Sequence, residues 1–260
     1  MHEDVLLKQM IGRAMRLTLN RPRAFNALNT AMIQSLRTAL DEAQANPEIR
    51  VLLLTGSGSA FCAGADLKEA LSSQAPIGEP DFLQQAGDLF ERISNFPKPV
   101  IAVLNGTTMA GGLELAMSAD LIIASETAVV GDAHSNFGVF PGAGGAAVLP
   151  RLIPLPMAEY LLFSGKSLPA ARLHQLGLVC EVHPPEKLDV AALELAEVLA
   201  AKSPAVLRRM KAVARGSADK SRADALMHER VMLREHLRSE DLREGLRAFA
   251  EKRKPVFTGR

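Results

Sequence analysis

A short apolar run followed by a helix-periodic stretch, repeated along a chain, leaves few folds open. Here the runs are MRLTLN (15–20), VLLLTG (51–56), PVIAVLNG (99–106) and ADLIIAS (119–125). The last three are apolar in both phases of the strand period, the pattern of strands covered on both faces, while the first alternates. Between the first two lies NTAMIQSLRTALDEAQANP, with Met32, Leu36, Leu40 and Ala43 at helical spacing and Asn46-Pro47 as a stop. Between the second and third lies EPDFLQQAGDLFERISNFP, with Phe82, Leu83, Ala86, Leu89, Phe90 and Ile93 on one face. Strands alternating with helices in this way predict βαβ units and a parallel sheet in an α/β layered fold.

Composition sets the limits. The chain has 260 residues, 48% of them hydrophobic, enough for a sizeable core in one large domain or two small ones. That core is aliphatic, because there is no Trp, one Tyr and ten Phe. Thirty basic residues against 29 acidic ones argue against a nucleic-acid partner, which calls for a basic face. The opening MHEDVLLKQMIGRAM has mixed charge and no long apolar run, so neither a secretory leader nor a membrane span is expected. Cys62 and Cys180 lie far apart and match no metal-ligand spacing, which predicts free thiols, no metal and a cytoplasmic location.

The last third reads differently. From about residue 186 the pattern predicts successive helices over 187–201, 204–215, 222–237 and 241–252. Their apolar stripes are interrupted by charged runs such as LRRMKAVARG, ordinary for solvated helix faces. Stripes that one chain cannot bury can be buried on a neighbour. The expected organisation is an α/β core over 1–185 and a helical C-terminal region over 186–260. No internal repeat is visible, and SSQAPIGEP (72–80) reads as a mobile surface loop.

Chemistry enters with the small residues. FCAGADLKEA (61–70) follows the second strand, and TTMAGGLELAMSAD (107–120) follows the third. Both clusters fall beyond the C-terminal end of a predicted parallel strand, where α/β folds bind ligands. One reading is two tight turns. The other is a backbone N–H from each loop, the second at a helix N-terminus, converging on one oxygen as an oxyanion hole. Glu114, one helical turn after the glycines, supplies a carboxylate among apolar neighbours. A third glycine-rich stretch, NFGVFPGAGGAAVLPRL (136–152), has neither a GxGxxG fingerprint nor a Gly-Lys-Ser/Thr, so a packed turn into a helix near Gly144 is the better reading. Cys62 lies beside the first cluster without an identifiable base and reads as a small packing residue.

Five strings in order, LNRPRAFNALN (19–29), AFCAGADLKE (60–69), KPVIAVLNG followed by AGGLELAMSAD (98–120), FPGAGG (140–145) and FAEKRKPVF (249–257), resemble the crotonase superfamily in its enoyl-CoA hydratase and isomerase branch. The resemblance covers nearly the whole chain. It implies a ββα spiral core, C-terminal helices that mediate homotrimers or hexamers built as dimers of trimers, and an acyl-CoA thioester as substrate with no separate cofactor. It implies that the N–H groups of Ala65 and Gly111 hold the thioester oxygen and that Glu114 is the first of two catalytic glutamates. For coenzyme A it points to Arg23, Ala24 and Phe25, to Ala63 and Lys68, and to Phe249 and Lys252 from the C-terminal helix. Basic side chains suit its phosphates, although each is also an ordinary surface cation.

The sequence departs from the family at the second glutamate, whose position holds His134, two residues after Asp132. An imidazole with an ordinary pKa near ~6.5 serves as acid or base. Polarising a thioester carbonyl makes Cα acidic and Cβ of a 2-enoyl group electrophilic, through an enolate that the hole stabilises. The favoured expectation is hydration of a 2-enoyl-CoA, with Glu114 as base and His134 as proton donor or water orienter. Isomerisation between 3-enoyl and 2-enoyl thioesters is the runner-up. Decarboxylation, C–C cleavage, thioester hydrolysis and non-catalytic acyl-CoA binding stay open. Pocket walls from the 72–80 loop and the helix after it predict an apolar, medium-sized acyl cavity.

Overall fold

The structure, a computed structural model, describes residues 4–72, 78 and 80–260. Of the loop expected over 72–80, residues 73–77 and 79 lie outside the described residues. In chain order, β1 (Leu6–Ile11) and β2 (Ala14–Leu19) form a hairpin, followed by α1 (Thr30–Ala45), β3 (Val51–Gly56), β4 (Ala60–Cys62), α2 (Leu67–Ser72) and α3 (Phe82–Ser94). Then come β5 (Val100–Leu104), β6 (Thr107–Met109), α4 (Gly111–Ser118), β7 (Leu121–Ser125), β8 (Val129–Gly131), a 3-10 turn at His134–Phe137, α5 (Gly145–Leu152) and α6 (Leu155–Ser164). The rest is β9 (Ser167–Pro169), α7 (Ala170–Gln175), β10 (Glu181–His183), α8 (Pro185–Ala200), α9 (Pro204–Ser217), α10 (Arg222–His236) and α11 (Glu240–Ala250).

The strands form two sheets. A six-stranded sheet runs β1-β2-β3-β5-β7-β10, parallel from β2 onward, and holds all four apolar runs of the sequence. A four-stranded sheet runs β4-β6-β8-β9 from three-residue strands. The pairs β3/β4, β5/β6 and β7/β8 each give their first strand to the large sheet and their second to the small one. This is the ββα repeat of a crotonase-like α/β spiral, present in the structure although no sequence repeat marks it.

Strand periodicity explains the layering. Leu52 and Leu54 of β3 join Ala102, Leu104 and Ile122 in a core against α1, α3 and α4. The alternate residues Val51 and Leu53 join Ile101, Val103 and Ile123 on the other face, under Leu188, Ala192 and Ala196 of α8. The helix starts follow local capping chemistry. Asn29, Asp81, Ser203, Ser221 and Ser239 each accept a backbone N–H from the first turn of the helix that follows.

α9 is tied back to the core by Asp120, whose carboxylate takes Lys211 Nζ and Arg215 Nη2, each at 2.9 Å. α10 has no buried residue and carries Leu226, Met227, Val231, Leu233 and Leu237 exposed. Among the described residues no helix is long and apolar enough to cross a membrane.

One buried side chain fixes the loop before α1 against the β3–β4 turn. Asn26, fully buried, accepts Arg21 N–H at 2.9 Å and donates through Nδ2 to the carbonyls of Ser57 at 2.9 Å and Ala60 at 2.7 Å. Its φ of 57° is one that asparagine tolerates better than most residues. Asn26→Ala strands those buried polar groups and is expected to destabilise the fold by about 3 kcal/mol, read as a lowered midpoint in urea unfolding with the slope unchanged.

Candidate active site

The two small-residue loops leave β4 and β6, neighbours in the small sheet, so their ends arrive side by side. Gly64 has φ of +111°, and a Cβ there would stand 3.1 Å from Ala110 Cβ and 3.3 Å from Gly111 N. A Cβ on Gly111 would stand 3.4 Å from Ala65 N. Glycine at position 64, with its positive φ and no room for a Cβ against Ala110, is what lets the two loops lie together. The chain bonds around Ala65 use its neighbours: Gly64 O accepts from Leu28 N at 2.8 Å, and Asp66 N donates to Leu28 O at 2.7 Å. Gly111 opens α4, so its N–H is one of the unpaired donors of a helix start. Ala110, just before it, is held at φ 50° and ψ −122°, a strained conformation for a residue with a Cβ.

Glu114 follows on the first turn of α4 and is only 5% exposed. Its Oε1 accepts two backbone N–H bonds, from Ala143 at 2.9 Å and Gly145 at 2.8 Å. Those donors belong to the third glycine-rich stretch, where Gly145 begins α5. The stretch read from sequence as a packed turn is therefore also a carboxylate cradle, placed where a helix start favours negative charge. Among the described residues Oε2 has no protein donor, which leaves one oxygen of a fixed carboxylate for chemistry.

His134 starts the 3-10 turn after β8, with its side chain 12% exposed. Its Nδ1 lies 2.9 Å from Asp132 Oδ1, and its backbone N–H donates to the same oxygen at 3.2 Å. A carboxylate oxygen only accepts, so Nδ1 carries the hydrogen and Nε2 is the free nitrogen. Asp132 is 1% exposed, and its Oδ2 is buried without a partner. Burial disfavours the imidazolium. The hydrogen bond to Asp132 and the negative charges of Asp132 and Glu114 together outweigh it and hold the His134 pKa above the ordinary histidine value. Cys62 is fully buried, and desolvation pushes its thiol up to about 12, which suits a packing residue rather than a nucleophile.

Ala65, Gly111, Glu114 and His134 all line one cavity of about 480 Å³, together with Ala63. Its remaining walls are largely apolar, drawn from Phe82, Leu83 and Phe90 of α3 and from Phe137, Val139 and Phe140 after β8. The last three are site residues that sequence reasoning missed; their signal was an apolar run, FGVF, that the strand and helix periods did not claim. The other sequence-predicted residues stand at varying distances from this cavity. Arg23 and Ala24 form a short 3-10 turn with Pro22, and the 54%-exposed Phe25 after it accepts the N–H of cavity-lining Ala63 at 3.0 Å. Lys68 is exposed on α2, one residue after cavity-lining Leu67. Phe249, 85% exposed on α11, and Lys252, just beyond it, do not line the cavity. Among the described residues no three His, Cys, Asp or Glu side chains are grouped to hold a metal ion.

A family model described as enoyl-CoA hydratase/isomerase matches residues 12–260. The 2,3-dehydroadipyl-CoA hydratase of Escherichia coli strain K12 is 36% identical, each chain covered over its full length. The crystal structure of enoyl-CoA hydratase from Bacillus anthracis superposes with a TM-score of 0.91 at 32% identity, over 98% of this chain and 100% of that one. That of enoyl-CoA hydratase from Mycobacterium tuberculosis H37Rv gives 0.90 at 35% identity, over 99% and 100%.

The contact between the loops is open to a direct check. Gly64→Ala places a methyl group against Ala110 and Gly111 in a backbone conformation barred to alanine. Stability is expected to fall by about 1–3 kcal/mol, read as a lowered unfolding midpoint. An unchanged midpoint would show that the two loops need not lie this close.

Proposed function

The chain belongs to the enoyl-CoA hydratase/isomerase family of the crotonase superfamily, and from that premise we propose that it hydrates a 2-enoyl-CoA, with Glu114 and His134 as the acid–base pair. The observation that carries this reading is the gathering of both side chains and the Ala65 and Gly111 N–H groups around one cavity. The thioester oxygen accepts from the two N–H groups, which stabilise charge as it moves onto that oxygen. Water adds to Cβ while Glu114 Oε2 takes its proton. The enolate then collapses and Cα takes a proton from His134 Nε2. Exchange with solvent returns both groups to their starting states.

Asp132 gives His134 its direction in this scheme. With Nδ1–H committed to the Asp132 carboxylate, the protonated ring presents Nε2–H as the donor. The buried Asp132 charge is balanced best when the ring is an imidazolium. A histidine thereby supplies the proton for which the family uses a second glutamate. Coenzyme A is proposed to lie along Ala63, the Arg23–Phe25 turn and Lys68, with its phosphates toward the two cations. A homotrimer or hexamer would cover the apolar face that α10 leaves exposed. A cytoplasmic location accords with the exposed free thiol of Cys180.

The test follows the enoyl-thioester absorbance of crotonyl-CoA. Glu114→Gln and His134→Ala are each expected to slow its loss by about 10²–10⁴-fold. No loss with the native protein, but a gain in His134→Glu, would instead mean that the natural reaction lies elsewhere in the family. A pH profile separates donor from spectator. His134 must be protonated to act and holds its proton above the ordinary histidine range, so kcat/KM falls as pH rises through that raised value. In Asp132→Asn the ring loses a raising charge and burial acts with less opposition, so the alkaline limb moves to lower pH. An alkaline limb identical in both proteins would remove His134 as the donor.

A further inference from the structure

A second cavity, of about 500 Å³, lies behind Glu114. Phe90, Glu114, Gly142 and Ala143 line it and also line the front cavity that holds the two N–H groups. A residue that lines two cavities stands between them. Of these four, Glu114 is fixed by its cradle, Gly142 and Ala143 are small, and Phe90 alone is a large apolar side chain. It is 4% exposed and belongs to the buried stripe of α3 with Phe82, Ala86, Leu89 and Ile93.

The two cavities differ in character. The front one is walled by Phe82, Leu83, Phe137, Val139 and Phe140. The rear one adds Glu91, Ser94 and Asn95 from the end of α3, Ser118 from α4 and Arg215 from α9, beside the apolar Met117 and Val148. Arg215 is already committed: Nη2 donates to Asp120 Oδ1 and to the Ala119 carbonyl, both at 2.9 Å, and Nη1 donates to Ser94 Oγ. A chain that entered the rear cavity would gain chiefly against Met117 and Val148.

We infer that Phe90 is the specificity-determining residue that ends the acyl site, and that the substrates are short- to medium-chain or aryl 2-enoyl thioesters whose acyl group stops in the front cavity. This rests on the hydratase reading for the placing of the acyl group. With the thioester oxygen on Ala65 and Gly111 and Cβ beside Glu114, the chain beyond Cβ runs past Glu114, where Phe90 closes the way to the rear cavity. Removing the phenyl ring joins the two spaces and lets a longer chain through. A methylene gained or lost in an apolar pocket changes discrimination by about 10-fold or more.

The experiment compares the native protein with Phe90→Ala and with the milder Phe90→Leu. Binding of butyryl-CoA and decanoyl-CoA is measured by calorimetry, beside turnover of crotonyl-CoA and 2-decenoyl-CoA, with thermal unfolding as a check that each variant is folded. The native protein is expected to favour the short chain. In Phe90→Ala the decanoyl-to-butyryl affinity ratio should rise by about 10-fold or more, and Phe90→Leu should move it in the same direction by less. If Phe90→Ala does not fold, the direction of the shift in Phe90→Leu decides. A ratio unchanged in the folded variants, while both thioesters still bind, overturns the inference and leaves the hydratase reading intact. A raised ratio with no hydration in any of the three proteins overturns that reading and leaves the partition standing. Binding of neither thioester to the native protein overturns both.

Discussion

The close approach of two backbones, Gly64 against Ala110 and Gly111, is the constraint on which the site depends. It brings Ala65 N close to Gly111, and it requires a residue without a Cβ at position 64. The neighbouring structure serves the same approach. β4 and β6 pair so that the loops leave together, and the Leu28–Ala65 bridge holds the first loop from its other side. Ala110 is kept strained so that α4 can begin at Gly111. Strain and close contact concentrate here because the surrounding sheet and helices are well enough packed to over-determine them.

Around that contact Glu114 is held by long-range bonds, while Asp132 and His134 pair within one short turn. Glu114 is held by N–H groups 29 and 31 residues away. Gly145 is the common neighbour of the two acidic groups, since a Cβ there would meet Asp132 Oδ2 at 2.7 Å and Glu114 Oε1 at 3.4 Å. One glycine thus admits both the carboxylate that faces the cavity and the carboxylate that stands behind His134. Electrostatics and sterics select the same residue type at that position.

The sequence made the large sheet legible because β3, β5 and β7 are buried on both faces and are written as continuous apolar runs. α1, α3 and α9 were legible because each carries an apolar stripe and a side-chain cap; the run expected over 204–215 is α9 at Pro204–Ser217, started by the Ser203 side chain. The small sheet was not legible. AFC, TTM and VVG are three residues long, too short to show a period, and they lie inside or beside the glycine clusters that read as turns. At the site, Glu114, His134 and the two glycine loops stood out as residue types at telling spacings. The cradle around Glu114 did not, because no local pattern says that residues 143 and 145 return to residue 114. Phe137, Val139 and Phe140 were likewise silent, as their exposure to a cavity depends on where the chain turns after β8.

The sorting of each strand pair between two sheets has a consequence for how such a chain can change. Each turn of the spiral commits its long strand to the large sheet. Its short strand still plants side chains in the core, as Phe61, Cys62 and Val130 do, and hands the cavity to the loop that follows it. Substitutions in those loops can therefore change chemistry with little loss of core, while substitutions in the strands of either sheet cannot. That division gives one scaffold room to exchange a glutamate for a histidine and keep its fold.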